Sequence, residues 1–326
     1  MSPQASETAR ALKTKLTIAL LSGGISSERE VSLNSGSQVY AALDPARYDV
    51  LRYDPKTDLP RLVADAPQID AALVILHGPF GEDGTVQGLL DLLGIPYQGS
   101  GVLGSAVAMN KVASKILYRQ AGLPTPDYVV ARRGEPVDLD EAAARLKLPI
   151  VVKPAAGGSS VGITIVRSRA ALAAALEAAY AHDPQVLLEA YIDGIEITGG
   201  VIGNDALEAL PLIEIIPERG SRFFDYAAKY TEGGAQEICP ARIDAETTAR
   251  AQRLCVEAHR ALFCRGYSRT DLMLRGRELF ILETNTIPGM TATSLLPRAA
   301  RTAGIEFGRL LDRLIALSLE GRPARR

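Results

Sequence analysis

The stretch L-T-I-A-L-L-S-G-G-I-S-S-E-R-E-V-S-L-N-S-G, residues Leu16 to Gly36, decides the fold class. Leu16 to Leu21 is a short apolar run of the kind that forms a buried strand, Ser22-Gly23-Gly24 turns the chain, and Glu30 to Leu43 carries helical spacing. The pattern recurs downstream. Asp49 to Tyr53 and Ala71 to His77 read as buried strands, and Thr85 to Leu93 reads as a helix. Such alternation predicts an α/β chain with a parallel sheet covered on both faces.

Beyond it the spacing predicts one helical segment from Gly104 to Gln120, closed by Ala121-Gly122, Pro124 and Pro126, a stop signal that also marks a domain boundary. Strands follow at Ile150 to Lys153, Ile163 to Val166 and Val186 to Ile192, with an Ala-rich helix from Arg169 to His182. From Glu196 come long strands, a loop from Arg219 to Gly234, a helix from Ala245 to Cys264, a hairpin through Gly276 and a last helix from Phe307 to Leu319. Residues 1–14 read as a polar, frayed tail.

Composition narrows the function classes. At ~150 residues per domain, 326 residues suggest about two domains, and 47% hydrophobic with 23% charged residues excludes a disordered or collagen-like chain. With 36 basic against 38 acidic residues the net charge is -2, which argues against a nucleic-acid or anionic-membrane partner. The cysteines Cys239, Cys255 and Cys264 form no C-x-x-C pair, so neither a disulfide framework nor a zinc site is expected and a cytoplasmic location fits. No run approaches the ~18 to 20 apolar residues of a membrane span, and Leu16 to Leu21 is too short for a signal-peptide core.

Four segments carry polar residues beside strands. Val152 to Gly162 reads V-K-P-A-A-G-G-S-S-V-G: glycines let backbone amides turn toward an anion, the Ser hydroxyls add donors and Lys153 adds a point charge. The order is not that of a P-loop, and an ordinary strand-loop-strand hairpin is the competing reading. Arg269 to Gly289 places Asp271 before a hairpin and E-T-N, Glu283 to Asn285, after it. Side chains alternate faces along a strand, so Glu283 and Asn285 point the same way. With a three-residue loop Arg275-Gly276-Arg277, Asp271 joins them, diagonally one step from Glu283. Two carboxylates and an amide oxygen make a hard-cation site of the kind that holds Mg2+ beside nucleotide phosphates; a solvated polar face is the alternative. In the opening stretch, Ser27 and Glu30 have capping-box spacing, which leaves Glu28 in an exposed first turn. There it either complements the helix dipole or faces a ligand at the carboxyl end of a parallel strand. His77 to Gly88, H-G-P-F-G-E-D-G-T-V-Q-G, follows another strand; His77 reads as a core or a site residue, and Asp83 as a helix cap.

Taken in order, G-G-x-S-x-E-R-E-V-S, H-G-x-x-G-E-D-G, K-P-x-x-x-G-S-S-V-G, D-Y-x-A-K-Y and E-x-N-T-x-P-G-M-T resemble the D-alanine:D-alanine ligases of the ATP-grasp superfamily, from about Leu16 to the end. The resemblance implies an α/β and α+β chain of three domains rather than two: an N-terminal Rossmann-like parallel-sheet domain over 1–108, a central α+β lid over 109–190 and a C-terminal ATP-grasp domain over 191–326. It implies ATP-dependent ligation of two D-alanine molecules through a D-alanyl phosphate, releasing ADP and phosphate, for peptidoglycan precursor synthesis, and a homodimer.

By similarity, Glu28 holds the ammonium of the first D-alanine and joins Ser159 and Tyr230 in a linked trio, with His77 near the first subsite. Arg269 and the Gly289 N–H resemble an oxyanion hole, and Ser294 and Leu295 match positions around the second D-alanine. Lys111, Lys153 and Lys229 match phosphate contacts, with Ser159 and Ser160 in the glycine loop. Glu189, Ala190, Ile192 and Glu196 match adenine and ribose contacts, and Phe223 lies against the ring. Asp271, Glu283 and Asn285 match ligands of Mg2+, with two ions implied and Mn2+ as a substitute. Two positions depart from the pattern: Gly157 stands where many members carry a side chain, and Ala190 where Lys is usual. Lys229-Tyr230 is the arrangement of the dipeptide-forming members, which ranks the D-alanine:D-lactate relatives lower. The alternative is another ATP-grasp carboxylate-amine ligase with a different amino-acid or hydroxy-acid second substrate. A dinucleotide-binding oxidoreductase needs G-x-G-x-x-G after Leu21, and Gly23-Gly24-Ile25-Ser26-Ser27-Glu28 does not supply it.

Overall fold

A computed structural model describes residues 15–158, 161–217 and 235–320. The expected tail at 1–14 and the expected loop at 219–234 lie outside the described residues. The strands β1 (Leu16–Ser22), β2 (Tyr48–Tyr53) and β3 (Ala71–Ile75) pair in parallel in the order β2-β1-β3. Thr17 to Ser22 and all of β3 are buried, the pattern of a sheet covered on both faces. The helices α1 (Arg29–Ala42) and α2 (Leu59–Asp65) make the crossovers, and α3 (Thr85–Leu92) follows β3. Ser32, buried on α1, accepts from the Gly23 N–H at 2.8 Å and donates to the Ile75 carbonyl. One hydroxyl thereby ties the turn after β1 to the end of β3.

The helix expected from Gly104 to Gln120 is two helices, α4 (Val102–Met109) and α5 (Lys111–Gln120). Between them Asn110 is extended, and its side chain accepts from the Ala113 N–H at 3.0 Å. A short polar side chain that competes for backbone donors ends one helix and caps the next.

The second sheet is antiparallel. Its strands β4 (Tyr128–Arg132), β5 (Ile150–Pro154), β6 (Thr164–Val166) and β7 (Gln185–Ala190) take the order β4-β7-β5-β6. The helices α6 (Leu139–Leu146) and α7 (Leu172–Tyr180) bury Leu146 and Leu176 against Val152 and Leu188.

The third sheet is also antiparallel. Its path runs through β11 (Ala235–Ile238), β10 (Ile213–Pro217), β8 (Ile195–Gly203), β12 (Gly266–Arg275) and β13 (Glu278–Asn285), with β9 (Glu208–Ala209) beside β8. The helix α8 (Ala245–Ala261) packs Ala251 and Cys255 on Ile197 and Leu272. On the other side, α9 (Leu295–Thr302) and α10 (Phe307–Leu319) share one core with the first sheet, joining Leu296 and Leu311 to Ile18, Leu20 and Tyr267.

The hairpin departs from expectation in register. Arg275 pairs with Glu278, so the loop is the two residues Gly276-Arg277, with Gly276 at φ +60°. Further along, Leu272 faces Ile281 and Asp271 faces Glu283, which leaves Leu282 as the extra residue of a β-bulge. Asp271 and Glu283 therefore share a face because they stand directly opposite, rather than by the diagonal step expected from a three-residue loop. Among the described residues no helix is long and apolar enough to cross a membrane.

Replacing Asn110 with Ala removes the α5 cap and should lower the unfolding free energy by about 1 kcal/mol. Urea denaturation measures this, and an unchanged midpoint would show that the helix break does not depend on the side-chain bond.

Candidate active site

The carboxyl ends of β1 and β3 lie side by side and present the first group of polar residues. The expected capping box is absent: Ser27 is exposed, and Glu28 itself occupies the N-cap position of α1, without a side-chain cap bond. The residue is buried rather than exposed, at 7%. A Cβ on Gly78 would stand 3.0 Å from Glu28 Oε2, and one on Gly158 would stand 3.6 Å from it. Glu28 thus sits between the His77-Gly78 turn and the glycine loop after β5. The Ser26 hydroxyl donates to the His77 carbonyl at 2.7 Å. His77 is buried, and its Nε2 has no hydrogen-bond partner among the described residues. Burial pushes the imidazole pKa down, and the Glu28 charge opposes that shift. A buried unpaired ring nitrogen beside a carboxylate is what a small zwitterionic ligand can satisfy.

The turn itself is braced from β2. Asp54 accepts from the Gly24 N–H at 2.9 Å and from Arg29 Nη2 at 2.5 Å. Burial alone would push this carboxyl up, but the Arg29 and backbone hydrogen bonds bring it to about 2. Asp83, expected as the cap of α3, instead stands one residue before the N-cap Gly84 and accepts from the N–H groups of Phe80 at 2.8 Å and Thr85 at 2.9 Å.

On the third sheet, Asp271 stands opposite Glu283 and Arg269 opposite Asn285. Asp271 accepts from Thr198 Oγ1 at 2.6 Å and takes a two-pronged contact from Arg269, Nε at 2.9 Å and Nη2 at 2.8 Å. Burial alone would lower the Arg269 pKa, but Asp271, with Glu283 and Glu82, raises it, so the guanidinium stays charged. Glu283 pairs with Lys111 Nζ at 3.5 Å, and Asn285 Oδ1 accepts from the Ile287 N–H at 2.8 Å. Among the described residues no three His, Cys, Asp or Glu side chains gather into a metal site. Asp271 and Glu283 with the Asn285 amide are a sparse but chemically suitable set of hard oxygens for a divalent cation whose remaining ligands come from phosphate and water.

A cleft of about 610 Å³ opens between the second and third sheets. It collects Lys111, Lys153, Glu189, Ala190, Ile192 and Glu196 together with Asp271 and Glu283. Val151, Ile163, Ile165, Met273 and Leu282 form apolar walls, and the bulge lets Leu282 and Glu283 line the cleft as neighbours. An apolar-walled cleft that also carries ammonium groups and carboxylates fits a ligand with an apolar body and an anionic part. Lys153 donates to Glu189 Oε1 at 2.8 Å, while Lys115 Nζ stands 2.5 Å from Oε2. Lys111 donates to the Gly157 carbonyl at 2.6 Å. Gly157 holds φ at +115°, a conformation that side chains disfavour, so the departure noted there accompanies a backbone turned toward Lys111. Gly157 and Gly158 line a small recess with Lys111, Lys153 and Glu283. Since Gly158 also adjoins Glu28, the cleft and the strand-end group meet at this loop.

Beyond β13, a Cβ on Gly289 would approach Ser294 Oγ to 3.0 Å, so the backbone there admits no side chain without displacing Ser294. Ser294 Oγ lies 2.7 Å from Thr291 Oγ1 and caps no backbone donor of α9, while Leu295 begins the helix and is buried.

Comparison with known proteins identifies the family. The D-ala D-ala ligase C-terminus family matches residues 117–316, and the D-ala D-ala ligase N-terminus family matches residues 55–100. The D-alanine–D-alanine ligase of Syntrophobacter fumaroxidans is 65% identical over 306 residues, covering 94% of this chain and 98% of the relative. The chain belongs to the D-alanine–D-alanine ligase family. Its fold is that of solved members. The D-alanine–D-alanine ligase from Bacillus anthracis complexed with ATP superimposes with a TM-score of 0.83 at 37% identity, over 94% of this chain and 98% of that one. The VanG D-Ala:D-Ser ligase from Enterococcus faecalis gives 0.81 at 34%, over 93% and 99%.

Of the other residues expected in a ligase site, Ser159, Ser160, Phe223, Lys229 and Tyr230 lie outside the described residues. Three features escaped the sequence reading. Lys115 lies under Glu189; Arg242 forks the Glu214 carboxylate at 2.9 and 2.8 Å on the cleft lining; and Glu82 is buried among Gly78, Glu28 and Arg269. The Glu of H-G-x-x-G-E-D-G was the available signal for the last of these.

Glu82 accepts from the Gly78 N–H at 2.6 Å, yet burial pushes its carboxyl up to about 8, and the Glu28 charge adds to the rise. The folded chain holds this proton where the unfolded chain has released it. Stability therefore falls as pH rises from the ordinary Glu range near 4.3 toward 8. Glu82→Gln keeps an acceptor for Gly78, so its melting temperature should gain on the parent progressively from pH 5 to about 8. A constant difference across that range would show that Glu82 ionises normally.

Proposed function

We propose that the chain joins two D-alanine molecules to D-alanyl-D-alanine at the expense of ATP, releasing ADP and phosphate. The observation that carries this reading is the meeting at Gly158 of a buried carboxylate, Glu28, with a recess lined by Lys111, Lys153 and Glu283. Substrate carboxylate and phosphoryl donor must meet at such a junction, because a carboxylate becomes electrophilic only after it has been phosphorylated.

In this reading the nucleotide lies in the cleft with its base between the apolar walls and its phosphates toward Lys111 and Lys153. Asp271, Glu283 and Asn285 would hold Mg2+, which when bound supplies positive charge against the phosphate oxygens. Glu28 binds the ammonium of the first D-alanine and directs its carboxylate at the γ-phosphorus, with His77 buried beside it. An oxygen of that carboxylate bonds to phosphorus as the bond to ADP breaks. The amine of the second D-alanine then attacks the acyl carbon. Negative charge develops on the carbonyl oxygen beside Arg269 and the Gly289 N–H, and it collapses with loss of phosphate and of the amine proton. Arg269 uses Nε and Nη2 on Asp271 and makes no hydrogen bond through Nη1 to a described residue, so Nη1 is the donor assigned to the oxyanion. The start of α9 at Ser294 and Leu295 suits the carboxylate of the second substrate, because helix N-terminal amides attract anions.

Relatives with another second substrate share the fold. The 65% identity to a D-alanine–D-alanine ligase, against 34% to a D-Ala:D-Ser ligase, favours D-alanine in both subsites.

The purified protein with ATP, Mg2+ and D-alanine should release phosphate and dipeptide in a one-to-one ratio, and L-alanine should release none. Equal turnover of both enantiomers, or a preference for D-serine as acceptor, would overturn the substrate assignment. Glu283→Gln should lower kcat by about a hundredfold or more through loss of charge at the phosphates, with an unshifted melting temperature. A collapse of stability at retained turnover would make Glu283 structural.

A further inference from the structure

The cleft contains one more charged side chain than its surface displays. Lys111 and Lys115 stand one turn apart on α5, but only Lys111 borders the cleft. The Lys115 side chain has no exposure at all. Its ammonium touches Glu189 Oε2 at 2.5 Å and donates to Thr125 Oγ1 at 2.7 Å. Thr125 in turn donates to the carbonyl of Ile281 on β13, the strand that carries Glu283. Lys153, on the cleft lining, holds the other oxygen of the same Glu189 carboxylate at 2.8 Å.

At neutral pH the three side chains form a buried row, ammonium, carboxylate, ammonium, whose sum is +1. Burial pulls the pKa of the Lys115 ammonium down to about 8 against the pull of Glu189, so it still carries its charge there. Without Lys115, Lys153 and Glu189 would make a neutral pair, and any swing of Lys153 toward an anion in the cleft would leave a buried carboxylate with no counter-charge, a costly arrangement. With Lys115 in place, Glu189 keeps a partner when Lys153 turns away. We propose that Lys115 is a positioning residue for nucleotide binding: it neutralises Glu189 from behind, so that the charge of Lys153 is available to phosphate. The proposal rests on the reading of the cleft as a nucleotide site. Burial pushes the Glu189 carboxyl up, but the two ammonium groups together hold it below its usual value, consistent with a carboxylate that stays ionised between them.

Calorimetric titration with ADP and Mg2+ tests this without turnover. Lys115→Met fills the same space without the charge. It should weaken ADP binding at least about tenfold and raise the KM for ATP in step, while kcat changes less than about threefold, because Lys115 touches no reacting atom. In a Glu189→Gln background no buried carboxylate remains to be neutralised, so adding Lys115→Met should change ADP affinity by less than about threefold. The double variant carries neither buried charge and supplies the comparison if Lys115→Met alone does not fold. Unchanged or tighter ADP binding by Lys115→Met, or an equal loss in the Glu189→Gln background, overturns the proposal. Failure of the parent protein to bind ADP would instead overturn the nucleotide reading of the cleft, and the proposal with it.

Discussion

The pairing of β12 with β13 is the constraint on which the site depends. The strand β12 lies between β8 and β13, and Leu272 and Ile281 are buried in the core beneath it. A regular hairpin in the register of Leu272 and Ile281 would set Asp271 across from Leu282. The bulge at Leu282 shifts the register by one, sets Asp271 against Glu283, and brings Arg269 against Asn285. Four polar side chains are then held by a ladder that cannot slip without moving its apolar neighbours to the wrong face.

Like charges fixed so near each other need compensation, and the fold supplies it from separate elements. Asp271 receives Arg269 and the Thr198 hydroxyl from its own sheet, and Glu283 receives Lys111 from α5. The extended break at Asn110 places Lys111 at the start of that helix, where the Lys111 N–H donates to the Ala155 carbonyl and its ammonium reaches Gly157. Local backbone chemistry at one capping residue thus decides where a cleft cation stands.

The alternation from β1 to β3 was legible because β1 and β3 are continuous apolar runs, whereas β2, expected to be buried, is an edge strand with only Tyr48 and Tyr53 buried. The acid pair was legible through strand parity, although its register came from a bulge that no residue type announces. Asn110 was hidden by helical spacing on both sides of it. Ser27 and Glu30 had the spacing of a capping box, but packing put Glu28 at the cap, where burial between two glycine turns outweighed local propensity. Lys115 was unreadable for a related reason: a lysine four residues after another reads as a solvated helix face, and only the fold of β7 across α5 places Glu189 against it. The carboxyl of Glu82, in the loop between β3 and α3, sits within a quoted motif, yet its burial goes with the close turn at Gly78, from whose N–H it accepts, rather than with its neighbours in sequence.

The central claim is that the bulged β12–β13 face, with the lysines across the cleft, organises cation and phosphate together. Anomalous scattering from crystals grown with Mn2+ and ADP tests it most directly. The account predicts a manganese peak in coordination contact with Asp271 and Glu283, beside nucleotide phosphates that face Lys111 and Lys153. A peak bound elsewhere, or phosphates lying away from that acid pair, would contradict it.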